Sequence, residues 1–457
     1  MTDPETHAAR ESQAWPVIRV ASGNFLEMYD FMVFGYYAAA IGRTFFPSGS
    51  EFASLMKALM TFGAGYLMRP LGAIVLGAYI DRHGRRKGLL LTLGLMAIGT
   101  TSIALTPGYQ TIGILAPLAI LVGRLLQGLS AGVELGGVSV YLAEISPPGR
   151  KGFFVSWQSA SQQVAVALAA VIGIALTYNL AADSMDRWGW RVPLLLGCLI
   201  IPVLFALRQT LGETEEFLAR KRHPTIAAIV RTVVGNWRLV GLGMMLSTMT
   251  TVCFYMITAY TPTFGSTVLH LANTSVQVVI LCVAISNFLW LPVMGALSDR
   301  IGRQPILVGV TVLTLITAYP ALSWLVSSPS IGRLLAVELW LSCMFGSYNG
   351  AMVVYLTEIM PPEVRTSGFS VAFSLATAVF GGFTPAICTY LIEVSGNRAV
   401  PGLWLSLAAA LGLVAAVTLA RRTTTIFADE VMRPLSSPGR VAGVASTAPL
   451  GRERLSR

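Results

Sequence analysis

The chain has 457 residues, 54% of them hydrophobic and 12% charged, with a mean hydropathy of +0.67. That leaves too little polar surface to wrap a soluble body of this size, so a soluble enzyme or scaffold is excluded and lipid is the expected solvent. A net charge of +10 would suit nucleic acid, but the placement of the 32 Lys and Arg decides between partners, and it excludes nucleic acid.

Residues 1–16 are polar and lack a charged flank, apolar core and small-residue cleavage site, so no removable signal peptide is expected. Apolar spans then follow near 17–42, 53–79, 88–106, 111–142, 153–180 and 190–209. A charged linker over 210–236, with Glu213, Glu215, Glu216, Arg220, Lys221 and Arg222, precedes six more near 237–264, 274–298, 305–326, 332–358, 367–393 and 401–421. Each is long enough to cross a bilayer, where only helices or closed barrels satisfy the backbone. Residues 422–457 are rich in Ser, Pro, Gly and Arg and read as a disordered tail.

Apart from Arg43, Lys57, Arg69, Arg124, Arg187, Arg191, Arg333 and Arg398, the basic residues fall in the termini, the linker and alternate short loops. That bias puts both ends in the cytoplasm and makes anionic headgroups the partner of the basic surface. The expected fold is therefore an all-α membrane protein with twelve transmembrane helices, 17–209 forming one six-helix bundle and 237–421 another. The five cysteines lie singly in apolar runs, and no metal or disulfide framework is expected.

The halves repeat one another. GAYIDRHGRR, Gly77–Arg86, returns 218 residues later as GALSDRIGRQ, Gly295–Gln304, and VYLAEISPP, Val140–Pro148, returns as VYLTEIMPP, Val354–Pro362. Two related bundles around a central site are what a rocking transporter requires. In this loop Asp81 with Arg82 and Arg85, and Asp299 with Arg300 and Arg303, can form ion-pair latches that break as a cavity opens.

Charges inside the spans mark the expected site. The first span carries Asn24, Glu27 and Asp30 at intervals of three, on one broad face. Desolvation disfavours a charged carboxyl at that depth, so Glu27 and Asp30 are expected to load and release protons, or else to pair with an arginine on a neighbouring helix. The fourth span places Arg124, Gln127 and Glu134 along one stripe. An arginine stays charged when poorly solvated and grips a carboxylate with two hydrogen bonds, which makes Arg124 the first candidate ligand for an anionic substrate. Arg69 is either a second carboxylate ligand or the partner of Glu134, itself a candidate proton carrier. Gln162, Tyr255, Tyr348 and Asn349 could satisfy remaining substrate oxygens, although each residue type commonly serves as glue between helices. Lys57 and Glu338 are further membrane charges, and Glu338 stands at the repeat position equivalent to Arg124. No histidine falls in mid-span.

Gly77, Asp81, Arg82, Gly84, Arg85 and Arg86 resemble the G-x-x-x-D-R-x-G-R-R loop of the major facilitator superfamily. GNFLEMYDF at Gly23–Phe31, RPLGA at Arg69–Ala73 and GRLLQGLSAGVELGG at Gly123–Gly137 resemble its metabolite:proton symporter family. SWQSASQQVA and YNGAMV are similar to tracts of citrate-proton symporters and tricarballylate transporters. The resemblance implies a multi-pass bacterial inner-membrane importer of a small carboxylate, driven by protons through alternating access, active as a monomer and without cofactor. The alternative it leaves is a proton symporter for a dicarboxylate, or for an osmolyte such as betaine or proline. An enzyme is not expected, because no nucleophile with its base and no metal cluster is present.

Overall fold

The computed structural model describes residues 23–83, 85–132, 134–209, 226–361 and 365–432. Among these no strand occurs, and eight helical stretches are long and apolar enough to cross a membrane. In chain order the longer helices are α1 (Gly23–Tyr36), α2 (Ala38–Phe45), α3 (Glu51–Leu67), α4 (Arg69–His83), α5 (Arg85–Leu105), α6 (Leu115–Ala131), α7 (Glu134–Glu144), α8 (Lys151–Asn179) and α9 (Arg191–Gln209). They continue as α10 (Ile226–Gly235), α11 (Trp237–Tyr255), α12 (Asn273–Ile301), α13 (Arg303–Ser327), α14 (Ile331–Ile359), α15 (Arg365–Ala376), α16 (Thr384–Ser395) and α17 (Pro401–Met432).

Local chemistry sets several boundaries. Ser50 caps α3 by accepting from the Ala53 amide at 3.1 Å, and Ser330 caps α14 by accepting from Arg333 at 3.2 Å. Gly302, the glycine of the second D-R-x-G-R loop, has φ +92°, a conformation that only glycine adopts without strain, and it separates α12 from α13. Arg69 opens α4 beside Pro70, whose missing N–H costs nothing in a first turn.

Several spans differ from the regular helices the periodicity predicts, among them 53–79, split at Met68, and 111–142, split after Ala131. The first span is interrupted at Tyr37. After α11 the chain runs through π-helical turns at Met256–Tyr260 and Phe264–Val268, and α15 joins α16 through another at Thr377–Gly381. Residues from 422 were expected to be a disordered tail, yet α17 continues to Met432, because Ala420–Met432 contains no glycine or proline to stop it. The linker expected at 210–236 falls largely outside the described residues, with α10 occupying its end.

Side chains sort as a lipid-solvated body requires. Leu199, Val203, Ile98 and Val394 are exposed on the outside, while Phe31, Phe34, Phe62, Tyr66 and Tyr260 are buried within. Helices approach closely where glycine removes the side chain. A Cβ on Gly128 would strike the Gly65 carbonyl and one on Gly132 that of Arg69, so α6 lies directly against the break between α3 and α4. Gly152 of α8 and Gly295 of α12 meet in the same reciprocal way, joining the two repeated sequence halves.

Candidate functional site

Glu27 and Asp30 lie one turn apart on α1, both on its buried face. The close approach of α6 to the α3–α4 junction brings Arg69 and Arg124 to the same place. Arg69 donates from Nη2 to Glu27 Oε1 at 2.7 Å, which settles its partner among the described side chains as Glu27. Glu134 begins α7, but its side chain lies outside the described residues, as does that of Asn24.

Arg124 is fully buried and makes no ion pair among the described residues. Its Nη1 donates to Gln127 Oε1 at 2.8 Å, whereas Nε and Nη2 have no hydrogen-bond partner. The guanidinium sits instead among ring faces, 4.2 Å from the Phe31 centroid, 4.5 Å from Phe34 and 5.1 Å from Phe62. Arg69 shares this cage, 4.9 Å from Phe31 and 4.5 Å from Tyr66. Tyr255 closes it from α11, its ring 5.1 Å from that of Tyr66. Aromatic faces attract a cation by about 0.5–2 kcal/mol without using its N–H groups. The cage therefore holds Arg124 charged while leaving its donors free, and a buried donor without a partner costs about 1–3 kcal/mol until an acceptor arrives. An anion with planar oxygens fits that need.

Gln127 links the cation to the second carboxylate. Its Nε2 donates to Thr100 Oγ1 at 3.0 Å and approaches Asp30 Oδ2 at 3.4 Å. Thr100 on α5 donates to Asp30 Oδ2 and also lies 3.0 Å from the Met96 carbonyl. Asp30 Oδ1 is buried without a partner. The arrangement can hold an anion against Arg124 and place or remove a proton at Asp30 through one connected network.

Glu27, Asp30, Arg69 and Arg124 are 4%, 1%, 3% and 0% exposed, so nothing reaches them from either side until helices move. At the end of the bundle carrying the repeated loops, Asp299 accepts from the Gly152 and Phe153 amides at 2.8 and 3.0 Å and pairs with Arg303 at 2.7 Å. Arg303 also reaches Glu358 at 3.2 Å. The carboxylate thereby caps the N-terminus of α8 from another helix. Arg300, expected in the same latch, is exposed. The side chains of Asp81, Arg82 and Arg85 lie outside the described residues.

Other expected ligands are placed differently. Tyr348 donates to the Leu246 carbonyl at 2.7 Å, and Asn349 accepts from Thr250 at 2.9 Å, so both tie α14 to α11. Gln162 is buried on α8. Its neighbour Gln163 accepts from Asn287 at 3.2 Å, and Asn287 accepts from Ser342 at 2.7 Å, a polar bridge from α8 through α12 to α14. Lys57 is exposed and donates to Ser48. Sequence reasoning missed Thr100 and the cage residues Phe31, Phe34, Phe62 and Tyr66. Their one signal is spacing, Phe31 with Phe34 and Phe62 with Tyr66 each sharing a helix face.

Residues 20–385 match the family profile of the Major Facilitator Superfamily. The chain is 58% identical over 403 residues to a citrate-proton symporter of Salmonella typhi, covering 88% of this chain and 93% of that protein. It is 59% identical to a citrate-proton symporter of Klebsiella pneumoniae, covering 89% and 92%, and 32% identical to a proline/betaine transporter of Escherichia coli, covering 87% and 81%. Among solved structures it resembles a D-xylose-proton symporter with TM-score 0.70 at 17% identity, covering 88% of this chain and 95% of that one.

The fold and the enclosed charged site define a membrane transporter. The chain belongs to the major facilitator superfamily, and it is a multi-pass protein of the inner membrane.

Proposed function

We propose that this protein imports citrate together with protons by alternating access. The observation that carries the reading is Arg124, a fully buried arginine with two unfilled donors, in a chain 58% and 59% identical to citrate-proton symporters over nearly its whole length. One citrate carboxylate takes the Nε and Nη2 edge of Arg124 as a two-point acceptor. Arg69 is the second cation and turns from Glu27 to the substrate once Glu27 is protonated. Asp30 carries a proton through the Thr100 and Gln127 network. Gln162 and Tyr255, with Asn24, complete the polar lining, and Glu134 joins the proton carriers, whereas Tyr348 and Asn349 serve to tie α14 to α11.

Twelve spans with both termini in the cytoplasm, in two six-helix halves, supply the rocking units, and one chain contains the whole path. Asp299 with Arg303 latches one end, and Asp81, Arg82 and Arg85 are its counterparts in the first half. The two arginines favour an anion over the zwitterions that the proline/betaine relatives are named for, which stand at 32% identity.

Counterflow in proteoliposomes tests the substrate. Preloaded citrate should drive uptake of labelled citrate, and external tricarballylate should compete with it, whereas proline and betaine at the same concentration should not. Competition by betaine and none by tricarboxylates would reverse the assignment.

A further inference from the structure

The second half of the molecule holds a carboxyl group that the scheme above does not use. Glu338 lies on α14, seven residues after Ile331, or about 10 Å along the helix from the end opposite the repeated loops. It is 6% exposed, and Oε2 has no hydrogen-bond partner. Among the described residues it makes no ion pair; Arg333, on the same helix, donates to the Trp324 carbonyl at 2.8 Å. Cys253 on α11 is its titratable neighbour, a neutral thiol that donates to the Leu341 carbonyl at 3.7 Å. The other helices along α14 bring neutral groups to it, α12 through Asn287 at Ser342 and α13 through Thr317 at Trp340.

What Glu338 does touch is Thr261. The threonine hydroxyl lies 2.9 Å from Glu338 Oε1 and 3.1 Å from the Met256 carbonyl. A hydroxyl has one proton, so an ionised Glu338 and the carbonyl compete for it, and Oε2 stays empty as well. A proton on Glu338 resolves the conflict: the carboxyl O–H donates to Thr261 Oγ1, and Thr261 donates to Met256. Asp30 is built the same way, with Thr100 Oγ1 between its Oδ2 and the Met96 carbonyl and with Oδ1 empty. Each half of the chain thus contains a buried carboxyl, a threonine and a main-chain carbonyl in series.

We propose that Glu338 is a further proton-carrying site, placed in the second half of the chain and loaded and emptied once per cycle independently of Asp30. Thr261 stands between the two π-helical turns that follow α11, and this stretch packs on α1, where a Cβ on Gly35 would lie 3.2 Å from that of Ala259. Movement of the second half away from α1 uncovers this stretch and admits water to the pair of Thr261 and Glu338. Loading forms one O–H bond between the carboxylate and a proton delivered by that water, and unloading is the reverse. Bringing in a multiply charged anion against an inside-negative membrane needs more than one such proton, since the membrane potential opposes every uncompensated negative charge.

The ratio aspect rests on citrate being the substrate, and the site itself does not. In purified protein without substrate, infrared difference spectra over a pH titration should show a protonated-carboxyl band that E338Q lacks and D30N retains, and T261V should shift that band. In proteoliposomes E338Q should carry one proton fewer per citrate while keeping citrate counterflow. A wild-type spectrum whose carboxyl bands are all retained in E338Q, or an unchanged proton-to-citrate ratio in that variant, overturns the proposal. Should E338Q fail to fold, an absence of any shift in T261V overturns it equally. If citrate is not transported at all, the substrate assignment falls, and the infrared comparison alone still decides on Glu338.

Discussion

Among the described residues Arg124 is surrounded by ring faces and has no counter-ion, which separates its charge from its hydrogen bonds. Arg124→Ala should therefore abolish citrate transport, by at least 100-fold in uptake rate, since a buried charge-assisted pair contributes about 2–5 kcal/mol. Arg124→Lys keeps the charge but loses the planar fork, and should retain roughly a tenth of the rate. Membrane yield and thermal unfolding of both variants, measured alongside uptake, separate this from misfolding. At Asp30 the expected signature differs: Asp30→Asn should lose accumulation driven by a pH gradient while keeping counterflow, and Thr100→Val should shift the pH dependence of uptake with a smaller loss of rate. Equal loss of counterflow in Asp30→Asn would make that carboxyl a structural group. The charges were legible in sequence because a charged residue inside an apolar span is costly and needs a reason. The cage was not, because Phe31, Phe34 and Phe62 look like ordinary lipid-solvated bulk. Thr100 was not either, since threonines in membrane helices commonly bond their own preceding turn.

At the scale of elements, glycine contacts set where the arginines stand. Gly128 against Gly65 and Gly132 against Arg69 draw α6 onto the α3–α4 junction, so Gly128→Val should push these helices apart and lower the melting temperature of the purified protein by several degrees. An unchanged melting temperature with full uptake would show the approach is not needed. The chain has 44 glycines, and sequence alone does not say which of them meet a backbone. The repeated loop, by contrast, was legible as a motif, while the positive φ of Gly302 and the capping of α8 by Asp299 came only with the structure. Asp299→Asn keeps the shape and weakens the cap by removing charge. It should make the repeated-loop end easier to open, read as faster labelling of a cysteine introduced beneath that end. The π-helical turns after α11 and α15 were invisible to periodicity, since they arise from packing between helices and not from composition.

For the whole molecule, Glu27, Asp30, Arg69 and Arg124 are all buried in this structure, with Glu27 paired to Arg69 and Asp30 set in a polar network, while Arg124 keeps donor atoms unfilled among the described residues. A substrate anion at Arg124 changes that balance, and proton loading restores it before the halves rock. The repeat in the sequence pointed to such a machine because two copied loops imply two equivalent bundles. The way the two halves divide proton carriers was not legible, because Asp30 and Glu338 share no motif and only their threonine partners reveal the similarity. The account rests on protons and citrate crossing together. Accumulation of labelled citrate in proteoliposomes under an imposed inward proton gradient tests this most directly. The wild-type protein should concentrate citrate above the external level and lose that accumulation when the gradient is collapsed by an ionophore. Citrate that merely equilibrates across the membrane with the gradient intact would contradict it.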